Sequence, residues 1–199
     1  MADLRANALR MHAVGNSLAV FLRNTYPGEL RDDFPCQFEV VSSGELLTPN
    51  QNDTRLTFFL HRLTTNEHLR NASRVNGRAH LLAPLTLDLH YLMTVWANNA
   101  LTEQVIMAWA MRQLHMHSVL DVSSLRPEGG WEASDVINVV PAEMSNEDMM
   151  RIWDALNPPY RLSVSYIARA VRIDVDEIAD ARPVVATRFS LATLTERES

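Results

Sequence analysis

No lysine occurs among the 199 residues: all 18 basic side chains are arginine, set against 24 acidic ones for a formal charge of −6. This excludes a phosphate-loop lysine, a Schiff-base lysine and any lysine-rich nucleic-acid tail. The acidic balance also argues against sequence-independent DNA binding, which depends on neutralising phosphates. Genome base composition is the simpler source of the missing lysines. Cysteine is nearly absent as well. The single one, Cys36, lies in the run Phe34-Pro-Cys-Gln-Phe38, cannot close an internal disulfide and reads as a buried, inert thiol. One cysteine fits a reducing compartment. Long apolar runs are missing too: Val105 to Met111 is the best candidate, far below the roughly 18 residues of a membrane span. Met1 to Arg5 has no basic start leading into an apolar run, so no signal peptide is expected. These absences leave a soluble, cytosolic chain of about one domain, large enough to fold without a staple.

Periodicity supplies the elements. Leu4, Ala8, Met11, Val14, Leu18 and Phe21 recur at helical steps, with Arg5, Arg10, His12 and Arg23 as polar positions between them. Tyr26-Pro-Gly28 ends that helix. A short strand is expected over Gln37–Ser42, then a polar stretch over Ser43–Asp53. Arg55–Leu63 alternates like a strand covered on both faces. Asn66–His80 reads as an exposed loop long enough for contacts. Leu85 to Val95 alternates most clearly, with Leu85, Leu87, Leu89, Tyr91, Met93 and Val95 on one face.

A helix follows over about Leu101–Val119, with Asn99 or Thr102 as its N-cap. It is apolar around most of its girth and is expected to be largely buried. Arg126–Gly130 marks a loop and Val136–Val140 a short strand. Ser145-Asn-Glu-Asp148 has the form of a capping box, with Met149, Ile152, Trp153 and Leu156 as the buried side of its helix. Pro158-Pro159 ends that helix, and Tyr160–Ile173 is the last long strand. Asp174, Asp176, Glu177 and Asp180 form an acidic link to a possible further strand, Val184, Val185, Ala186, Thr187, Arg188 and Phe189. The expected fold is α/β (α+β): a mixed, mainly antiparallel sheet flanked by helices.

Catalytic chemistry finds little support. The chain holds no Gly-rich phosphate loop, His-Glu-x-x-His, Gly-x-Ser-x-Gly or Cys-x-x-Cys. His115 and His117 stand two apart, which on a helix points them in different directions; they suit a helix C-terminus better than a metal. His61 and His90 read as hydrogen-bonded structural histidines. The aspartates at 174, 176 and 180 lack the glycine and terminal glutamate of a calcium loop and read as a solvated linker. Trp96, Trp109 and Trp153 read as core, and Trp131 as a more exposed interface candidate. No catalytic, cofactor-binding or metal-binding residue is assigned.

Three segments carry a specific resemblance. They are Leu47-Thr-Pro-Asn50 with Leu56-Thr-Phe-Phe-Leu60; Pro84 to Thr94 running into Gln104–Leu120; and Met144 to Trp153 through Tyr160–Arg169. In order and spacing they resemble the cap, or tail-terminator, family of extracellular contractile injection systems, phage-tail-like particles of the antifeeding-prophage type. The resemblance covers roughly residues 4 to 175. It implies a structural protein without enzymatic activity or cofactor: a ring, expected to be a hexamer, that ends the inner tube and anchors the last sheath layer. The implied partners are other copies of the chain, the inner tube protein and the sheath protein, with neither nucleic acid nor membrane. Assembly in the cytoplasm of a particle later released or cell-associated goes with it. The implied organisation is a cap domain over residues 1–175 and a C-terminal extension over 176–199. Residues 184–189 then become an assembly strand that pairs either with a neighbouring sheet edge or within the chain. The alternative is a tail-completion protein of a contractile-tailed phage or prophage, joining tail to head.

Overall fold

The computed structural model describes residues 4–47, 53–66 and 84–174. Helix α1 (Leu4–Thr25) leads through the short α2 (Gly28–Asp33) into β1 (Gln37–Val41), α3 (Ser43–Leu47), β2 (Arg55–Thr65) and β3 (Leu85–Trp96). There follow α4 (Ala100–Met116), β4 (Val119–Leu120), a 3-10 turn (Pro127–Gly129), β5 (Ile137–Pro141), α5 (Asn146–Leu156) and β6 (Ser163–Ile173). The strands form one sheet in the order β1-β2-β3-β6-β5-β4. Among the described residues only β1 and β2 run parallel, and every other pairing is antiparallel. This is the mixed, mainly antiparallel α+β architecture that alternation and helical periodicity predict.

Helices pack on both faces of the sheet, and β3 buries side chains on each. The front face of β3 presents Leu87, Leu89, Tyr91, Met93 and Val95 to a core shared with Val14, Leu18 and Leu22 of α1 and with Ile106, Trp109 and Leu114 of α4. Gly15 lets α1 lie close: a Cβ there would meet the Tyr91 ring and the Val40 side chain at 3.2 Å. Tyr91 Oη then donates to the Met11 carbonyl at 3.1 Å. On the back face Leu92 and Trp96 join Val41, Leu46, Trp153 and Leu156 in a second cluster roofed by α3 and α5. The Trp96 and Trp153 rings stand 5.8 Å apart, and the Arg55 and Arg161 guanidiniums lie over Trp96.

Several boundaries match their local chemistry. Asn99 caps α4, its side chain accepting from the Thr102 N–H at 2.9 Å. Ser145 caps α5 by accepting from the Asp148 N–H. That helix ends at Asn157, whose positive φ of 63° makes the left-handed cap before the prolines.

Four expectations need correction. Over the first turns of α1 the buried side is polar: Asn7 and Arg10 are buried while Leu4 and Ala8 are exposed. The reason is a set of carbonyl partners contributed by residues far along the chain. Ser43–Leu47, expected to be irregular, is a helix. Ser42 and Glu45 build its capping box, Ser42 donating through N–H and Oγ to Glu45 Oε2 at 2.7 Å while Oγ accepts from the Glu45 N–H. Helix α4 is buried on one side only, leaving Leu101, Met111 and Met116 exposed. The back of the sheet is roofed by α5, so α4 has a sheet on one side and solvent on the other. The last strand starts at Ser163, three residues later than expected, because Arg161 turns to donate to the Ala97 carbonyl.

Candidate assembly surfaces

Arg10 organises one end of the subunit. It is 4% exposed, and its guanidinium donates to the carbonyls of Gly129 (3.1 Å), Gly130 (3.0 Å) and Arg172 (2.7 Å). It also pairs with Asp174 at 3.1 Å and reaches Asp135 at 3.8 Å. Asp174 is therefore no solvated linker residue. Asn7 holds its backbone in a two-way bond, donating to the Asp174 carbonyl and accepting from its N–H. Trp131, expected to be exposed, lies 5.4 Å beneath Arg10 and donates through Nε1 to the Arg126 carbonyl at 2.7 Å. The left-handed Gly130 (φ 58°) permits that turn, since a Cβ there would strike the Ala6 side chain at 2.7 Å. The point at which the chain passes residue 174 is thus fixed by buried, fully engaged groups.

The two edges of the sheet differ. β1 is an edge strand with Gln37 exposed and Glu39 tied to Arg55 at 3.0 Å. β4 is only two residues long. Around it gather exposed apolar side chains, Val119, Val122 and Val136, next to Met116 at the end of α4. Leu101, 65% exposed, and Met111 continue this apolar character along the outer side of α4. A strand edge that pairs with no further strand among the described residues, flanked by exposed valines and methionines, is a surface that water does not favour.

A groove of about 700 Å³ opens on the back face between the sheet and α5. His61, Arg62 and His90 line one side, Ser165, Ile167 and Arg169 the floor, and Pro141–Ser145 with Asp148, Arg151 and Ile152 the far wall. His61 is the extra residue where the β2–β3 register shifts between Leu60 and Arg62. Its ring lies 6.1 Å from that of His90. Burial, with the neighbouring His90 and Arg62, pushes the His61 imidazole down to about 4. His90 is lowered as well, first by burial and then by Arg62, and its Nε2 lies 2.9 Å from Thr64 Oγ1. His90 is thus the hydrogen-bonded histidine expected, whereas His61 Nε2 is buried without a hydrogen-bond partner among the described residues. Ser165 Oγ makes no hydrogen bond among the described residues.

The remaining sequence candidates fall into place as packing groups. Trp96, Trp109 and Trp153 are buried. Cys36 is partly buried, and burial pushes its thiol up to about 12, which leaves it protonated and unreactive at neutral pH. His117 forms the C-cap of α4, and its ring packs tilted against Phe21 with centroids 5.2 Å apart. Among the described residues no group of three or more His, Cys, Asp or Glu could hold a metal ion. No helix among them is long and apolar enough to cross a membrane. The strand expected at Val184–Phe189, and the loop over Asn66–His80 beyond its first residue, lie outside the described residues.

A family described as the Pvc16 N-terminal domain matches residues 13–187. The chain belongs to this family. The three-segment resemblance read from the sequence led to the same group. Comparison with curated proteins finds no match. Among solved structures, the PVC sheath/tube terminator of an extracellular contractile injection system, in the extended state, is similar with a TM-score of 0.55 at 18% identity. The similarity covers 94% of this chain and 65% of that one. The tube-terminating cap of the anti-feeding prophage is similar with a TM-score of 0.52 at 18% identity, over 92% of this chain and 60% of that one. This Pvc16 N-terminal domain protein therefore has the fold of tube terminators and spans under two thirds of the length of each.

Proposed function

We propose that the protein is a structural component that terminates the inner tube of an extracellular contractile injection particle. The observation that carries this reading is the family match over residues 13–187, made concrete by a fold shared with two tube terminators over more than nine tenths of the chain. The similar proteins are structural, and the same role without enzymatic activity is proposed here. The subunit forms a closed ring, a hexamer, in which one face of each copy meets a different face of the next. The apolar surface around β4 and the outer side of α4 supplies one of the two ring faces, covered by the neighbouring copy. Residues 1–175 act as the ring domain. Residues 176–199 act as an extension whose Val184–Phe189 segment adds a strand to a neighbouring sheet edge and helps to anchor the last sheath layer. Assembly takes place in the cytoplasm, and the particle is released or remains cell-associated.

Electron microscopy of the purified protein and of particles from a deletion strain tests the proposal. Rings in the isolated protein, with tubes or sheaths of uncontrolled length in the deletion strain, are the expected result. A protein that stays monomeric at micromolar concentration, together with intact particles of normal length in the deletion strain, overturns it.

A further inference from the structure

We infer that the segment Val184–Phe189 of one copy docks as an added strand on the outer edge of β2, over Arg62–Thr65, in the next copy. The inference rests on the ring and added-strand reading above and names the edge that receives the strand.

Elimination selects the edge. A strand edge carries a row of N–H and C=O groups that pair with water or with another strand. On one side of the sheet β4 is only two residues long, the Val139 N–H is already given to the Ser118 carbonyl at 2.7 Å, and Pro141 has no N–H to offer. On the other side β1 is partly occupied, because Arg23 Nη2 donates to the Phe38 carbonyl at 2.5 Å. β1 itself covers β2 only from Arg55 to Phe59. Past the irregularity at His61, the residues Arg62 to Thr65 pair with β3 on one side and with no strand on the other among the described residues. Arg62, Leu63 and Thr65 are exposed.

The direction of the main-chain groups follows from the ladder. The Asn66 N–H donates to the Thr86 carbonyl at 2.9 Å. Alternate residues of an antiparallel strand face the partner, so Thr64 and Arg62 also face β3. Leu63 and Thr65 therefore turn their N–H and C=O groups outward, four groups spaced for a further strand.

The occupant follows from the position of Asp174. Leu85 pairs with Ile173 while Leu87 pairs with Thr65, so Asp174 lies at the same end of the sheet as the free stretch of β2. It is held on the side of β6 away from β2, however. Arg10 ties it to Gly129, Gly130 and Asp135, residues that lead into β5, and β5 flanks β6 opposite β3. Arg172 reaches Glu132 of the same stretch at 4.0 Å. The segment after Asp174 thus starts toward the β4 side, the face assigned to the next copy. In a cyclic ring all copies share one orientation, so the neighbour brings its opposite edge, the one bearing β2, to that face at the same level. The linker of residues 175–183 spans at most about 30 Å when extended, or about six strand spacings. Val184, Val185, Thr187 and Phe189 are of types that favour extended backbone, and Val185, Thr187 and Phe189 share one face, where they can lie beside the exposed Leu63. Main-chain bonds to Leu63 and Thr65 supply the affinity.

Disulfide scanning of the full-length protein is the test. In a Cys36→Ser background, Leu63→Cys is combined in one chain with Val185→Cys, Ala186→Cys or Thr187→Cys, and the protein is oxidised after assembly. A disulfide requires Cα atoms about 4.4–6.8 Å apart, which paired strands provide. A covalent ladder of dimers and larger species is expected for at least one of the three positions, and none when Met150→Cys, on the exposed side of α5, replaces Leu63→Cys. A monomer bridged within itself overturns the inference, since the segment then returns to its own β2. Rings that form without any bridge overturn it and leave the ring reading standing. A protein that forms no ring overturns the ring reading and this inference with it. Hydrogen exchange reads the same edge without a cysteine at position 63. Segment 62–66 should exchange about tenfold faster in Ala186→Pro/Thr187→Pro than in the wild type, with circular dichroism confirming that the variant is folded. Equal exchange in the two proteins also overturns the inference.

Discussion

Arg10 Nη1 stands 3.1 Å from Asp174 Oδ2, joining the first helix to the residue after β6, with Arg10 buried and Asp174 partly buried. A charge buried this deeply is tolerable only when its polar groups are engaged, and here three carbonyls and the carboxylate engage each of the three guanidinium nitrogens. Arg10→Ala would strand those acceptors and leave Asp174 without its counter-charge. The expected cost is about 3–5 kcal/mol in chemical denaturation. Arg172→Ala removes a half-exposed arginine that also pairs with Asp174; it should cost no more than about 1 kcal/mol. Equal losses in the two variants would show that burial is not what makes the Arg10 pair matter.

His61 gives stability a pH dependence of definite sign. Its ordinary value of 6.5 falls to about 4 in the folded protein, through burial first and then His90 and Arg62. The unfolded chain therefore binds a proton at higher pH than the folded one does. Stability is unaffected above about pH 6.5 and declines as pH falls from there toward 4. His90, shifted in the same direction, adds to the slope. Allowing for solvent screening of a partly exposed ring, His61 should account for about 1–2 kcal/mol between pH 7 and pH 4. Comparing denaturation of the wild type and His61→Asn at both values tests this, and an unchanged slope in the variant refutes it.

Ala170 holds a positive φ of 67° in the irregularity where Arg169 and Ala170 together oppose Asp88. Asp88 Oδ1 accepts the Ala170 N–H at 3.0 Å and so fixes the bulge. A non-glycine residue in that region costs about 1–2 kcal/mol. Ala170→Gly should thus be neutral or stabilising by up to about 1 kcal/mol, despite the added freedom of the unfolded chain. Asp88→Ala should destabilise by about 1–3 kcal/mol, because the Ala170 N–H loses its acceptor. A glycine variant that melts lower than the wild type would show that the bulge is not strained.

Sequence reading succeeded where one local rule decides the outcome. The two-residue alternation of β3 is legible because its front face is wholly apolar while its back face keeps Thr86, Asp88, His90 and Thr94, and the capping signals at Asn99 and Ser145 are complete within four residues. The capping box at Ser42 and Glu45 was equally local; it was overshadowed by the polar residues that follow it. The burial of Arg10 and Asn7 is not legible in the sequence, for a different reason. Apolar periodicity assumes that polar side chains seek water, whereas their partners lie at residues 129–130 and 172–174, which only the tertiary fold brings near. Trp131 was misplaced by the same blindness, since it is the Arg10 cluster that draws it in. The groove escaped notice altogether. Ser165 and Ile167 read as one side of an ordinary alternating strand, and nothing local reveals that the helix above them stops short.

The outer side of α4 and the β4 edge separate assembly from folding. Met116 is 56% exposed and Val119 is 52% exposed, so neither contributes much to the interior of the subunit. Met116→Glu/Val119→Glu should change the stability of the isolated subunit by no more than about 0.5 kcal/mol per site, the usual range for surface positions. If these side chains are covered by the next copy in a ring, the same change places two carboxylates against an apolar partner surface without counter-charge, and that cannot be accommodated by small shifts. Mass photometry of the variant should then show monomers under conditions where the wild type forms rings. Rings that persist in the double variant would move the ring contact to another surface, with the β1 edge as the next one to test. Loss of folding would instead mean that the edge is part of the subunit core.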